Sequence, residues 1–207
     1  MGDENKFHWY DGWIYDKFIA PNQDRMFAKI KEIIEPNSAI IDVGCGTGRF
    51  AFYLSDKVKK VVAIDLSKRN IERANLSLLK KPNTKIEFYN KSLSNIISEN
   101  NMHFDYAVMT YVIHEMDNNE RLKILTELSQ IADTIIIGDY LIPQDIAFLK
   151  LFNELVEFFA GKEHYKNYKS YTFLGGIYNL AEKANLKITT DIRNTPPSSH
   201  IAVLSKM

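Results

Sequence analysis

The chain has 207 residues with 26 Lys+Arg against 26 Asp+Glu, so its formal net charge is zero and no global electrostatic attraction to a polyanion or membrane surface is expected. Apolar residues at 45% and charged residues at 25% match ordinary globular usage and exclude disordered, collagen-like and disulfide-scaffold compositions. Cys45 is the only cysteine, which excludes an intrachain disulfide; the sequence also has no apolar run of about 18 residues and no basic-then-apolar leader, so a reduced, soluble, cytoplasmic protein is predicted.

The first 18 residues hold six aromatics, Phe7, Trp9, Tyr10, Trp13, Tyr15 and Phe18, although aromatics make up only 12% of the chain. Met26, Phe27, Ile30, Ile33 and Ile34 then recur at helical spacing, and Pro36-Asn37 ends that helix. From residue 39 short apolar runs alternate with helical patterns, as in βα units on a largely parallel sheet. Strands are predicted over 39–43, 60–65, 84–90, 104–110 and 134–141, with helices over 67–79 and 118–131 and another beginning near Arg49. Near-continuous apolarity in 39–43 and 135–137 fits strands covered on both faces. Residues 147–160 carry an apolar face of Phe148, Leu151, Phe152, Leu155 and Phe159; 161–171 is polar and tyrosine-rich; 173–184 is helical in pattern. Closing strands are expected over 187–192 and 200–204. The predicted fold is therefore α/β, a doubly wound Rossmann-like sheet between two helical layers.

Ile41-Asp42-Val43-Gly44-Cys45-Gly46-Thr47-Gly48-Arg49 carries the chemistry. A strand runs straight into glycines at alternate positions and then into a helix, so the backbone can turn sharply and approach a ligand at the helix N-terminus. A dinucleotide fingerprint needs G-x-G-x-x-G; here the third glycine comes one residue early, which demotes a nicotinamide or flavin enzyme. Asp65 ends the second strand, where a carboxylate can accept both hydroxyl protons of a ribose.

These residues resemble the class I S-adenosylmethionine-dependent methyltransferases. Asp42, Gly44, Gly46 and Gly48 match that family's first motif, Asp65 its ribose-binding acid, and Phe104-Asp105-Tyr106-Ala107-Val108 its fourth-strand motif, over roughly residues 36–141. The resemblance implies a seven-stranded sheet, mostly parallel with the last strand antiparallel, in one domain over 1–207. Within it, 1–35 would be a lid and helix, 36–141 the cofactor core, 145–180 a helical cover on the acceptor side, and 186–207 the closing strands.

The resemblance also implies S-adenosyl-L-methionine as cofactor, its methionine end on Asp42 and the Gly44–Gly48 loop with Cys45, its ribose on Asp65, and Leu66 against adenine. Ser92 stands where many members have an acid for the adenine amino group, so the Ser92 hydroxyl or the Leu93 backbone would serve. Thr110 and Tyr111 would line the methionine end. Aromatic faces can stabilise a sulfonium, so Tyr10, Trp13 or Tyr15 on an arm folded over the cofactor is one reading of the terminus, and a hydrophobic staple tying it to the core is the other. His114 is the candidate general base, against a packed histidine at a helix start. Asp139, Tyr140, His164 and His200 are weaker candidates, and no metal set is apparent. Cys45 reads as a small loop residue rather than a nucleophile.

A small-molecule acceptor, with neither nucleic acid nor membrane as partner, is the expectation, and the aromatic 148–178 stretch reads as acceptor cover or homodimer interface. Methylation of tRNA or protein and a non-catalytic cofactor-binding subunit are the alternatives.

Overall fold

A computed structural model describes residues 20–99, 102–144 and 146–207. The lid residues, Tyr10, Trp13 and Tyr15 among them, lie outside the described residues. In chain order the elements are α1 (Ala20–Ile33), β1 (Ala39–Val43), α2 (Arg49–Leu54), β2 (Lys60–Ile64), α3 (Lys68–Lys80), β3 (Ile86–Tyr89), α4 (Leu93–Glu99) and β4 (Phe104–Thr110). A 3-10 turn (Ile113–Glu115) follows, then α5 (Asn118–Ile131), β5 (Ala132–Tyr140), α6 (Ala147–Ala160), α7 (Lys162–Phe173), α8 (Gly176–Lys183), β6 (Leu186–Arg193) and β7 (Ser199–Lys206).

The seven strands form one sheet in the order β3-β2-β1-β4-β5-β7-β6. β7 runs antiparallel to both of its neighbours, and the pairs from β3 through β5 are parallel. Alternation along the strands divides the core in two. Ile41, Val62, Ala107, Ile135 and Leu204 face a layer built with α4, α5, α7 and α8, whereas Ile40, Val61, Val108, Ile136 and Val203 face a layer with α1, α2 and α3. The chain after β1 passes to the α2 layer and the chain after β4 to the α5 layer, so a crevice opens at the carboxyl ends of these adjacent strands.

Two helices escaped the sequence pattern. α4 is short and has only Leu93 and Ile96 buried, and α7 turns inward through Tyr168 and Tyr171 alone, leaving too few apolar positions to show a period. The helix expected from Phe173 begins instead at Gly176, because Gly175 adopts a left-handed conformation at the turn. The predicted apolar stripe of α6 exists, but much of it is exposed: Phe148, Leu151, Leu155, Phe158 and Phe159 all face solvent.

Gly48 caps α2 at φ +82°, and a Cβ there would lie 2.4 Å from Phe88 Cζ. Gly46 (φ +54°) has open space where its Cβ would be. Gly48→Ala should therefore combine overpacking with left-handed strain and cost about 2–4 kcal/mol. Gly46→Ala should carry only the strain, about 1–2 kcal/mol. Thermal unfolding of the two variants checks the order.

Candidate active site

The crevice holds an open cleft of about 1510 Å3, larger than the roughly 300–1,000 Å3 of a typical single-ligand pocket. Its wall includes Asp42, Gly44, Cys45, Gly46, Asp65, Leu66, Ser92, Leu93, Thr110, Tyr111 and His114, and of the weaker candidates Tyr140 and His164, so the structure brings together the described candidates other than Gly48, Asp139 and His200. Gly48 instead packs against Phe88 and Ala74 beneath the loop.

Backbone hydrogen bonds shape the glycine loop. Gly44 N–H and Cys45 N–H both donate to the Ile64 carbonyl, at 2.8 and 3.0 Å, and Gly48 N–H donates to the Cys45 carbonyl at 2.9 Å. Asp65 joins the loop to the next element: Gly46 N–H donates to its Oδ2 at 2.8 Å and Ser67 N–H to its Oδ1 at 2.7 Å. Each carboxylate oxygen keeps a further lone pair for a ligand hydroxyl. Leu66, beside it, is 77% exposed, an apolar surface with room for a flat partner.

Ser92 has a different occupation from the one expected. Its hydroxyl accepts from Asn95 N–H at 3.2 Å, capping α4, and also donates to the Asn95 side chain. The second lone pair of this hydroxyl is left for a ligand donor.

Asp42 is buried at the end of β1, and its Oδ2 has no hydrogen-bond partner. Burial, reinforced by the Asp65 charge, pushes its carboxyl up to about 7. A buried carboxylate oxygen without a donor, beside open space at Gly46, fits the ammonium of an amino-acid ligand, and Asp65 with Leu66 fits a nucleoside. The donor set thus suits S-adenosylmethionine. Cys45 is unsuited to nucleophilic work: burial and the charges of Asp42 and Asp65 push its thiol far above its ordinary range.

Across the cleft, the 3-10 turn after β4 is held by all three of its carbonyls. Arg121, fully buried, donates from Nε to Ile113 O at 3.0 Å and from Nη2 to His114 O at 3.1 Å and Asn167 O at 2.6 Å. Asn167 Nδ2 donates to Glu115 O at 2.7 Å. Tyr111, which enters the turn at φ +56°, is strained for a side chain with a Cβ, and its hydroxyl donates to Ser199 Oγ at 3.0 Å.

His114 is 2% exposed, with Nδ1 at 2.7 Å from Asp139 Oδ1 and Nε2 at 3.5 Å from Glu157 Oε1. Burial opposes charge on this ring, but the two carboxylates outweigh it and hold the imidazolium well above the usual histidine range. Its reading as a free base therefore meets a physical obstacle, since both nitrogens are committed to protonated contacts with acids. Asp139, a lone acid in the sequence, is the partner that orients the ring. Tyr140 donates to Glu157 Oε1 at 2.8 Å, closing a network that includes T-shaped contacts of Tyr140 with His114 and Tyr168.

Glu115, beside His114, has a side chain 37% exposed and lies 3.9 Å from His114 Nε2 and 3.8 Å from His164 Nδ1. Partial burial pushes its carboxyl up to about 7; His114 counters this, and Glu157, Asp139 and Asp65 add to it. Neither Glu115 nor Glu157 stood out in the sequence. The adjacency Ile113-His114-Glu115 was visible, but the approach of Glu157 from α6 was not. His200, the cross-strand partner of Asp139 in the β5–β7 register, has its Nδ1 at 2.7 Å from Asp191 Oδ1. No group of three or more metal-ligating side chains occurs among the described residues.

A parallel sheet with one antiparallel strand, a glycine loop at its switch point and an acid after β2 define a class I methyltransferase fold. Residues 40–133 match a family model described as a methyltransferase domain. Magnesium protoporphyrin IX methyltransferase from Synechocystis PCC 6803, crystallised with bound S-adenosylhomocysteine, superposes with a TM-score of 0.67 at 16% identity, over 100% of this chain and 90% of that one. Over 86 residues the chain is 34% identical to a probable cobalt-precorrin-6B C(15)-methyltransferase (decarboxylating) of Methanobrevibacter smithii, covering 38% of this chain and 42% of that protein. Over 73 residues it is 36% identical to a tRNA/tmRNA (uracil-C(5))-methyltransferase of Campylobacter concisus, covering 31% and 20%. The chain spans less than half the length of these curated relatives. Its fold is that of the class I S-adenosylmethionine-dependent methyltransferases, and residues 40–133 match their methyltransferase domain.

Asp42 gives the cofactor site a pH signature. An unfolded carboxyl ionises near 3.8 and the folded one near 7, so the ligand-free protein should lose stability as pH rises between those values. An ammonium beside Asp42 favours the ionised form, so S-adenosylhomocysteine affinity should fall on acidification below pH 7, by up to about tenfold per unit. Asp42→Asn should flatten that dependence, and calorimetric titration at pH 6, 7 and 8 measures both.

Proposed function

We propose that the protein transfers a methyl group from S-adenosylmethionine to a small-molecule acceptor. The observation that carries the reading is Asp65 tied at once to Gly46 N–H and Ser67 N–H, at the mouth of the β1–β4 crevice, with the unpartnered Asp42 oxygen beside it. When bound, the cofactor supplies an electrophilic methyl carbon on a sulfonium whose leaving group is a neutral thioether. The protein's task is then alignment and exclusion of water more than covalent chemistry.

Residues of this chain divide that task. Asp65 and Leu66 hold the nucleoside, and Asp42 and the glycine loop hold the amino-acid end. The turn locked by Arg121 and Asn167 fixes the floor on which the acceptor rests. Where the acceptor must lose a proton, Glu115 takes it: its carboxyl faces the cleft, and its affinity for protons is balanced near neutral pH. His114 is a positioning residue, a fixed positive charge that anchors Glu157 and faces Glu115. The carboxylates on this side of the cleft favour a small acceptor over tRNA, whose phosphates they would repel.

Calorimetric titration should give tighter binding of S-adenosylmethionine than of NAD, and the reverse order would refute the cofactor reading. With an acceptor found by screening, Glu115→Gln should lower turnover by about 100-fold or more at unchanged S-adenosylhomocysteine affinity, and should abolish the rise of rate with pH near 7. A variant with full activity and the original pH profile would remove Glu115 from the proton path.

A further inference from the structure

The lysines and arginines of the cleft, interspersed there with Asp42, Asp65, Glu120 and Glu127, are confined to one part of its wall. The arginines and lysines among its described wall residues, Arg25, Arg49, Arg69, Arg73, Lys91 and Lys123, come from the chain between α1 and α5. The part of the wall contributed by residues 140–167 has two carboxylates, Glu157 and Glu163, and neither a lysine nor an arginine. Glu115 adds a third carboxylate on the same side, and Asp139 lies behind His114 as a fourth acid. The buried imidazolium of His114 offsets one of these charges. Burial opposes ionisation of Glu157, but hydrogen bonds from His114 and Tyr140 hold its carboxyl below the usual range, so it remains an anion.

Two independent details indicate what this side receives. Glu157 Oε2 is buried and has no hydrogen-bond partner, which leaves a charged acceptor without a donor at the cleft wall. Phe148 and Phe152, 73% and 38% exposed, line the same side and offer apolar ring faces. A group entering here must tolerate concentrated negative charge, donate a hydrogen bond and cover aromatic surface.

We propose that the methyl acceptor is an amine on an apolar or aromatic body, its ammonium drawn to Glu115 and Glu157 and its body packed on Phe148 and Phe152. This rests on the methyltransferase reading of the cleft and narrows its acceptor to one charge class. The ammonium gives one proton to the Glu115 carboxylate, leaving a neutral amine with its lone pair free and a neutral Glu115 carboxyl. Carboxylate and phosphate acceptors are repelled by the same wall.

The test uses the full chain saturated with S-adenosylhomocysteine and two probes of matched shape and opposite charge, 2-phenylethylamine and 3-phenylpropanoate, titrated calorimetrically at pH 7. The amine should bind at least about tenfold more tightly than the carboxylate. Glu115→Gln should keep the affinity for S-adenosylhomocysteine, which reports an intact fold, while the preference for the amine shrinks to within about threefold. Equal or tighter binding of 3-phenylpropanoate, binding of neither probe at millimolar concentration, or a preference untouched by Glu115→Gln would each overturn the proposal. Failure of S-adenosylhomocysteine to bind the unsubstituted chain would appear before either probe is added, and would defeat the methyltransferase reading itself.

Discussion

One carboxylate joins the two loops from which the cleft is made. Asp65 accepts from Gly46 N–H, in the loop after β1, and from Ser67 N–H, at the cap of α3. It adds to the bonds from Gly44 and Cys45 to the Ile64 carbonyl and carries the tie from the glycine loop on to the cap of α3. In the proposed function the same two carboxylate oxygens receive the ribose, so that scaffold and ligand site would be one interaction. The parallel register of Val43 with Ile64 brings the partners of Asp65 within reach.

The other half of the cleft depends on a cation that never meets solvent. Arg121 spends its donors on the carbonyls of Ile113, His114 and Asn167. Those bonds pin the turn after β4 against α7, and only then can His114 reach Asp139 on β5 and Glu157 on α6. A buried cation satisfied by backbone oxygens holds the floor rigidly, and losing it would leave several buried acceptors unpaired. The half of the cleft proposed for the cofactor thus rests on glycines and one acid, and the half proposed for the acceptor on an arginine and a network of acids around one histidine.

Local chemistry was legible in the sequence and tertiary chemistry was not. Strands β1, β2, β4 and β5 stood out as apolar runs, and the spacing of Gly44, Gly46 and Gly48 with Asp65 located the cofactor loop, because those constraints act between near neighbours. The separate jobs of the glycines were hidden, since only the packing of Phe88 distinguishes Gly48 from Gly46. His114 attracted notice as an isolated imidazole, but its character comes from Asp139 and Glu157, 25 and 43 residues further along the chain. Ser92 is also a helix cap, a role that the sequence hid because it depends on the unrecognised α4. Helix α7 was invisible because Tyr168 and Tyr171 give it too narrow an inward face for periodicity to reveal.

The central claim is that a nucleoside bound across the β1–β4 crevice presents its reactive end to the acidic wall of α6 and the turn after β4. A crystal structure of the full chain with S-adenosylhomocysteine tests it most directly. The account predicts both ribose hydroxyls within hydrogen-bond distance of Asp65, the amino group beside Asp42 Oδ2, and the thioether sulfur facing the space bounded by Glu115 and Phe152. A ligand bound outside the crevice, or one whose ribose avoids Asp65 and whose sulfur points toward α3, would contradict it.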